Sequence, residues 1–264
     1  METLSFRYHL SICFDAPVHD HHFTLRCFPI SDERQRIDRL QITIYPNEFF
    51  SDSFDSFGNR CIVGRAGQPH TLFSADVTGD AVTGLSERVP EGNPWREHLF
   101  RQQTRLTWPD EELLSFADSV PAWPSALDTA KAVMEALGKE ITYTPGVTNV
   151  DTTAAEAFSL RRGVCQDYSH IMLSVLREKK IMARYVVGML MGEGLSHAWV
   201  EVKEGEFWYG FDPTNQLLVT DQHIKISHGR DYCDCRINQG HFYGLGKQTQ
   251  EISVLVQRKE AQSA

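Results

Sequence analysis

Residues 150–216 carry the strongest structural signal in this sequence, because helical periodicity gives way to strand alternation within one stretch. Apolar side chains recur at helical spacing after Cys165, which predicts a helix that begins near this residue. Two strands should follow, one starting at His197 and one ending at Asp212. Glu204-Gly205 fits a hairpin turn between them. The stretch therefore predicts one helix followed by an antiparallel strand pair.

Residues 1–95 follow a different pattern, because apolar and polar side chains alternate over several short runs. The clearest apolar series is Phe6, Tyr8, Leu10, Ile12 and Phe14. Alternation with period two is typical of strands that are buried on one face. Gly58-Asn59 fits a turn between two such strands, because both residues tolerate positive φ. We predict an N-terminal all-β module, similar to a β-sandwich, over residues 1–95.

Prolines and tryptophans punctuate residues 96–124, which we interpret as a connecting segment with one short helix over residues 110–119. Helical spacing returns after it, so residues 125–264 are predicted to form a second domain, the one that contains Cys165, His197 and Asp212. Thr153-x-x-Glu156 matches a capping box, which predicts the start of a short helix. We expect Gly163 to end that helix in the left-handed conformation.

The acidic balance of the chain, with 26 Lys and Arg against 35 Asp and Glu, disfavours nucleic acid or an anionic membrane as its main partner. The N-terminus lacks the basic start and apolar block of a signal peptide. No run approaches the roughly 20 apolar residues of a transmembrane helix. Six scattered cysteines fit reduced thiols. We therefore expect a soluble cytoplasmic protein that binds neither nucleic acid nor membrane.

Cys165, His197 and Asp212 form a candidate nucleophile, base and orienting group. A helix N-terminus and a neighbouring imidazolium both stabilise a cysteine thiolate. The backbone N–H of a residue that starts a helix has no intrahelical partner, so that of Cys165 could face a substrate oxyanion. A turn at Glu204-Gly205 would bring His197 and Asp212 to neighbouring positions about 5 Å apart. A nucleophile, a base and a group that orients the base are the three members of a catalytic triad.

Cys165 also has a structural interpretation. Taken alone, it fits a buried thiol with no chemical role, and its place in a series with His197 and Asp212 favours the nucleophile.

A sulfur-rich loop near the C-terminus raises the separate possibility of a metal site, formed by Cys233, Cys235, His228 and His241. Their spacing matches no common zinc pattern, so we predict no metal.

Several pieces of sequence, in this order, resemble the transglutaminase-like superfamily, and within it the bacterial members that carry an N-terminal β-module. The matching pieces are residues 162–168 (RGVCQDY), 183–186 (ARYV), 196–202 (SHAWVEV) and 210–215 (GFDPTN). Residues 143–148 and 229–232 are also similar to that family. The resemblance spans roughly the whole chain, and its most specific motifs lie between residues 143 and 232.

The resemblance implies an α+β fold, in which the β-module precedes a papain-like, transglutaminase-like core. In that core the nucleophile lies at a helix N-terminus packed on an antiparallel sheet. The resemblance also implies a triad of Cys165, His197 and Asp212 that acts on the amide bonds of a peptide or protein through a thioester acyl-enzyme. No cofactor is implied. Gln166 and Tyr143 are candidates for the second oxyanion donor on chemical grounds.

Three functions remain open at this point. Hydrolysis of the acyl-enzyme would make the protein a cysteine peptidase or amidase, which we expect. Transfer of the acyl group to an amine would make it a cross-linking transglutaminase. A binding or assembly module could also retain the fold without catalysis. The sequence identifies neither the substrate nor the oligomeric state.

Overall fold

The computed structural model describes residues 1–90 and 94–259, with the backbone alone for residues 94–96. Within these residues the fold is mostly β-sheet with few helices. The strands are β1 (Glu2–Leu25), β2 (Arg36–Tyr45), β3 (Phe49–Phe54), β4 (Arg60–Ala66), β5 (His70–Thr83), β6 (Arg88–Pro90), β7 (Thr142–Tyr143), β8 (Arg162–Gly163), β9 (Ala183–Leu190), β10 (Gly192–Gly194), β11 (His197–Glu204), β12 (Phe207–Asp212), β13 (Leu217–Leu218), β14 (His223–Gly229), β15 (Asn238–Tyr243) and β16 (Gln248–Arg258). The α-helices are α1 (Glu111–Ser119), α2 (Ala126–Glu140), α3 (Ala154–Leu160) and α4 (Cys165–Glu178), and short 3-10 helices occupy Pro94–Arg101 and Tyr232–Cys235.

The first large sheet has eight strands and is built around β1. Its N-terminal half pairs with β5 and β16, and its C-terminal half pairs with β4 and β15. The register along β5 shifts between Cys13 and Val18, which lets one long strand serve two sets of partners. The apolar series identified in the sequence ends at Phe14, whereas β1 continues through Pro17 to Leu25. Alternate side chains of the first half are buried, as the period-two pattern predicts.

Each large sheet contains strands from both the N-terminal and the C-terminal part of the chain. β6 pairs with β12 in the second sheet, whereas β10, β15 and β16 join the first. β16 pairs with β1 from Leu4–Arg258 to Phe14–Gln248. Each large sheet therefore contains strands from both residues 1–95 and residues 125–264, whereas the division into residues 1–95, 96–124 and 125–264 stays a prediction. Residues 91–93 and 260–264, inside the first and last of these parts, lie outside the described residues.

The second large sheet has the order β13-β12-β11-β9-β14, and α4 packs against it. α4 is buried along most of its length. No helix in residues 1–90 and 94–259 is long and apolar enough to cross a membrane. The predicted capping box of α3 is confirmed, with Thr153 and Glu156 bonded to each other's backbone N–H.

The prediction for Gly163 is wrong. The left-handed residue that ends α3 is Arg161, with φ of 54°, and Gly163 lies in β8. The reason for a glycine at this position is space. A Cβ on Gly163 would lie 2.6 Å from the Cβ of Asp167, a distance that only a shift of the chain could relieve. Gly163 therefore allows Asp167 to fold back over the start of α4.

Two side-chain amides from the first sheet's loops and strand ends cover β14, which is an edge strand of the second sheet. Gln35 donates to the carbonyl of Lys225 and accepts from its N–H, both at 2.8 Å. Asn59 does the same with His228, at 2.8 and 2.9 Å. The pairing register of β14 with β9 shifts between Lys225 and Ser227. Because of this shift, Lys225 and His228 both direct their backbone N–H and C=O groups away from β9. The two amides, each only 2% exposed, replace the hydrogen bonds of a missing neighbour strand; we call them the amide clamp.

Candidate active site

Asp167 determines how the helix that carries Cys165 begins. Its Oδ2 accepts hydrogen bonds from the N–H of Val164 at 2.8 Å and from the hydroxyl of Thr148 at 2.7 Å. Val164 precedes the helix in an extended conformation and has no side chain that could accept a hydrogen bond. Burial raises the pKa of the Asp167 carboxyl, although these two donors act in the opposite direction. Asp167 and Thr148 together hold the first turn of α4 and therefore the position of Cys165.

Replacing Thr148 by valine is expected to destabilise the fold by about 1.5–3 kcal/mol. Valine has nearly the same shape as threonine but lacks the hydroxyl that donates to the buried Asp167 carboxylate. Urea denaturation measures this change. Thr144→Val is the matched control in the same loop, because the Thr144 hydroxyl donates only to the neutral carbonyl of Thr142. Equal midpoints for the two variants would show that Thr148 does not support the helix start.

His197 and Asp212 lie on neighbouring strands, at the same end and on the same face. β11 and β12 pair from Val200–Phe211 to Glu204–Phe207, around a turn at Gly205. Continuing this register places Asp212 opposite Trp199, and Trp199 shares a strand face with His197 because side chains alternate. His197 Nε2 lies 2.7 Å from Asp212 Oδ2. The turn lies at Gly205-Glu206, one residue beyond the predicted Glu204-Gly205, so Asp212 lies diagonally across from His197 rather than directly opposite, and the two side chains still form a hydrogen bond.

Cys165 approaches the same imidazole from α4. Its thiol lies near the His197 ring and influences the ring's pKa, and because Nε2 faces Asp212, Nδ1 is the nitrogen available to the sulfur. Burial lowers the pKa of His197, but the hydrogen bonds and charges of Asp212 and Cys165 outweigh it and raise the pKa to about 9. The ring therefore favours the imidazolium form at neutral pH.

Asp212 is fully buried and accepts hydrogen bonds from five donors. Its Oδ1 accepts from the backbone N–H groups of Thr214 and Asn215, at 3.1 and 3.2 Å. Its Oδ2 accepts from His197, from the Asn215 amide at 2.8 Å and from His223 at 3.1 Å. Burial alone would raise the pKa of this carboxyl, but the donors, first those of His197 and His223, hold it well below its usual range. Asp212 is therefore an anion at neutral pH.

His223 is a site residue that the sequence analysis did not identify. The alternation of Ile224 and Ile226 with polar residues is the signal that could have identified β14. The ligand atoms of His197, Asp212 and His223 lie within 4.8 Å of one another, a spacing that a cation could also bridge. The N–H of Thr220 points at His223 Nδ1 from 3.2 Å, so the ring proton sits on Nε2 and faces Asp212.

The two candidates for a second oxyanion donor occupy different surroundings. The Gln166 amide donates to the carbonyl of Val150 at 3.1 Å, so it already has a partner away from the sulfur. Tyr143 pairs with Gly163 in the short β7–β8 ladder and is half exposed beside Cys165. Burial, and next the proximity of Cys165, raise the pKa of the Tyr143 hydroxyl. Tyr143 thus stays a candidate.

The two cysteines near the C-terminus, Cys233 and Cys235, lie in different environments. Cys233 is exposed, whereas Cys235 is buried with its thiol 3.9 Å from the carbonyl oxygen of Tyr185. His241 stacks on His22 of the first sheet, with ring centroids 4.9 Å apart. In the described part of the chain, the histidine and cysteine residues considered for a metal site do not converge on one point.

Comparison with known proteins agrees with the resemblance in the motifs. Residues 115–213 match the family model of the transglutaminase-like superfamily, and residues 4–82 match that of the bacterial transglutaminase-like N-terminal region. The Mycobacterium leprae protein ML0607 is 28% identical over 266 residues, covering 88% of this chain and 90% of the relative. Rv2569c of Mycobacterium tuberculosis is 28% identical over 253 residues, covering 81% and 79%.

A solved structure from Cytophaga hutchinsonii, described as a "Putative Cysteine Protease", has the same fold. It superposes with a TM-score of 0.80 at 21% identity, over 100% of this chain and 93% of that one. The likeness covers both large sheets and α4.

Proposed function

The chain belongs to the transglutaminase-like superfamily, and from that membership we propose that it is an enzyme that acts on amide bonds through a thiol nucleophile. The observation that carries the proposal is the His197–Asp212 hydrogen bond beside Cys165, which begins a buried helix. In this view the second sheet and α4 correspond to a papain-like core. A structural thiol would not need an imidazolium and a buried carboxylate in line with it.

In the first half of the proposed reaction, the Cys165 thiolate attacks the carbonyl carbon of the amide. The charge that develops on the carbonyl oxygen is stabilised by backbone N–H groups at the start of α4, with Tyr143 as the candidate second donor. His197 then gives its proton to the leaving nitrogen as the C–N bond breaks. The products are a thioester on Cys165 and a free amine.

In the second half, water attacks the thioester and His197 takes its proton. The C–S bond breaks, a carboxylic acid leaves, and the thiolate–imidazolium pair returns. Asp212 stays ionised throughout and keeps Nε2 of the ring engaged, so that Nδ1 stays directed at the sulfur. Hydrolysis of a peptide or protein amide is thus the proposed activity, with no metal or cofactor. We also propose a cytoplasmic location, because all six cysteines are free.

Selective alkylation tests the proposal without a known substrate. We expect iodoacetamide to modify Cys165 at least about tenfold faster than Cys13 or Cys233 at pH 6, with peptide mass spectrometry as the measurement. An ordinary thiol is almost wholly protonated at that pH, whereas the His197 imidazolium stabilises a thiolate. Exposure alone predicts the opposite order, because Cys13 and Cys233 are exposed and Cys165 is only partly so.

A Cys165 that reacts no faster than the two exposed cysteines would contradict an active nucleophile and favour a binding module.

Whether water or an amine accepts the acyl group needs a separate measurement. Incorporation of a labelled primary amine into a glutamine-bearing protein, without release of a carboxylic acid, would replace hydrolysis by amine transfer. Release of the acid with no incorporation supports the peptidase or amidase.

A further inference from the structure

We propose that His223 is a positioning residue of this site, which holds the Asp212 carboxylate in place for His197 through its Nε2–H. The proposal rests on the proposed function, because positioning has a consequence only if Cys165 and His197 act together. Its starting observation is that two histidines on different strands donate to the same carboxylate oxygen, at 2.7 and 3.1 Å.

The His223 ring is fixed on every side. Its Nδ1 accepts from the N–H of Thr220 at 3.2 Å, with the Thr220 hydroxyl at 3.3 Å. The ring forms a T-shaped contact with Trp199, with centroids 5.4 Å apart and planes at 81°. The side chain is only 2% exposed. The ring therefore has one tautomer and one orientation, and both direct a donor at Asp212.

A neutral donor suits this place. Burial is the main cause that lowers the pKa of His223, and the charge of His197 and that of Arg34, which approaches from the first sheet, act in the same direction, whereas Asp212 raises it. A neutral His223 adds a hydrogen bond to Asp212 without adding a second cation beside the imidazolium. Its proton occupies part of Oδ2, so the oxygen is a weaker base and the shared proton stays on His197.

The first sheet supports this arrangement through β14. His223 is the first residue of β14, and the amide clamp of Gln35 and Asn59 fastens that strand at Lys225 and His228. Gln35 also donates to the carbonyl of Ile30 in its own loop, which ties the clamp to the first sheet. The N-terminal β-module therefore contributes to the geometry of the site through β14.

The alkylation rate of Cys165 as a function of pH tests the role of His223. We expect His223→Leu to lower the rate about 10- to 100-fold, the contribution of one hydrogen bond to a charged group. The acid limb of the profile should also move to higher pH, because Asp212 loses a donor that favours its anion. His223→Gln should restore most of both, since the glutamine Nε2 can donate from a similar place. A loss of packing alone would lower the rate without moving the limb.

His21→Gln is the control for loss of a buried histidine, because His21 lies in the first sheet and contacts His70 rather than Asp212. The rates of Cys13 and Cys233 serve as internal references in every sample. A fast Cys165 in His223→Leu with an unmoved limb overturns the positioning role and leaves the proposed function intact. A slow Cys165 in the wild type contradicts the proposed function itself, and the positioning role with it.

Should His223→Leu fail to fold, nitrogen NMR of histidine-labelled wild-type protein decides. His223 is expected to show one protonated and one bare ring nitrogen, in the Nε2–H tautomer, throughout the pH range in which exposed histidines titrate. A proton on Nδ1, or titration together with the exposed rings, would overturn the proposal.

Discussion

Cys165→Ala is expected to abolish amide cleavage, with a loss on the order of 10⁶-fold, the size seen when a hydrolase loses its nucleophile. Asp212 cannot take over as the nucleophile, because it is fully buried and already engaged by its hydrogen-bond donors. The measurement is kcat/KM on a peptide that the wild-type protein selects from a cleavage library. The fold should remain intact, since the substitution removes one partly exposed sulfur.

Cys233→Ala is the matched control for this variant, because Cys233 is an exposed thiol in a different loop. It should keep wild-type activity. Circular dichroism and thermal unfolding should match for both variants and the wild type. An alanine variant at position 165 that still cleaves the selected peptide would exclude Cys165 as the nucleophile.

Asp212→Asn is expected to lower kcat/KM on the order of 10⁴-fold, the loss that an amide for a carboxylate causes in a Ser-His-Asp triad. The asparagine has no negative charge and must place a donor among groups that all donate to Asp212. The pKa of His197, which is about 9 beside the carboxylate, should fall towards its usual value. The basic limb of the activity profile should therefore lie near pH 9 in the wild type and at lower pH in the variant.

Stability gives an independent check on Asp212. Because the folded state raises the pKa of His197, the contact stabilises the fold fully below the unfolded pKa of about 6.5 and loses this effect as pH rises through 9. The difference in unfolding free energy between wild type and Asp212→Asn should thus be larger at pH 6 than at pH 10. Asp151→Asn, at an exposed ion pair, should show little difference at either pH. Wild-type activity and an unmoved basic limb would remove Asp212 from the mechanism.

The contacts that the sequence predicts are those set by local rules. The start of α4 at Cys165 follows from helical spacing after a glycine. The meeting of His197 and Asp212 follows from counting residues outward from a two-residue turn, which fixes the strand face of each side chain. Both need information from fewer than 20 neighbouring residues.

The contacts that the sequence does not predict join distant segments. β14 pairs with β9, and its alternation is short and bounded by no clear turn signal, so His223 had no visible partner. The amide clamp has no pattern at all, because Gln35 and Asn59 are single polar residues outside helices and strands. Gly163 illustrates a third limit. A glycine at this position after a predicted helix is typical of a helix end. Its actual role is to leave space for the Asp167 side chain, which only the packed structure shows.

The amide clamp also has a consequence for solubility. An open strand edge is a template on which another chain can add a strand, and natural proteins cover or interrupt such edges. Gln35 and Asn59 occupy the outward backbone groups of Lys225 and His228, so β14 offers no continuous row of free donors and acceptors. A core produced without residues 1–90 would expose this edge. Its failure mode would then be self-association through β14, even where α4 and its sheet still fold.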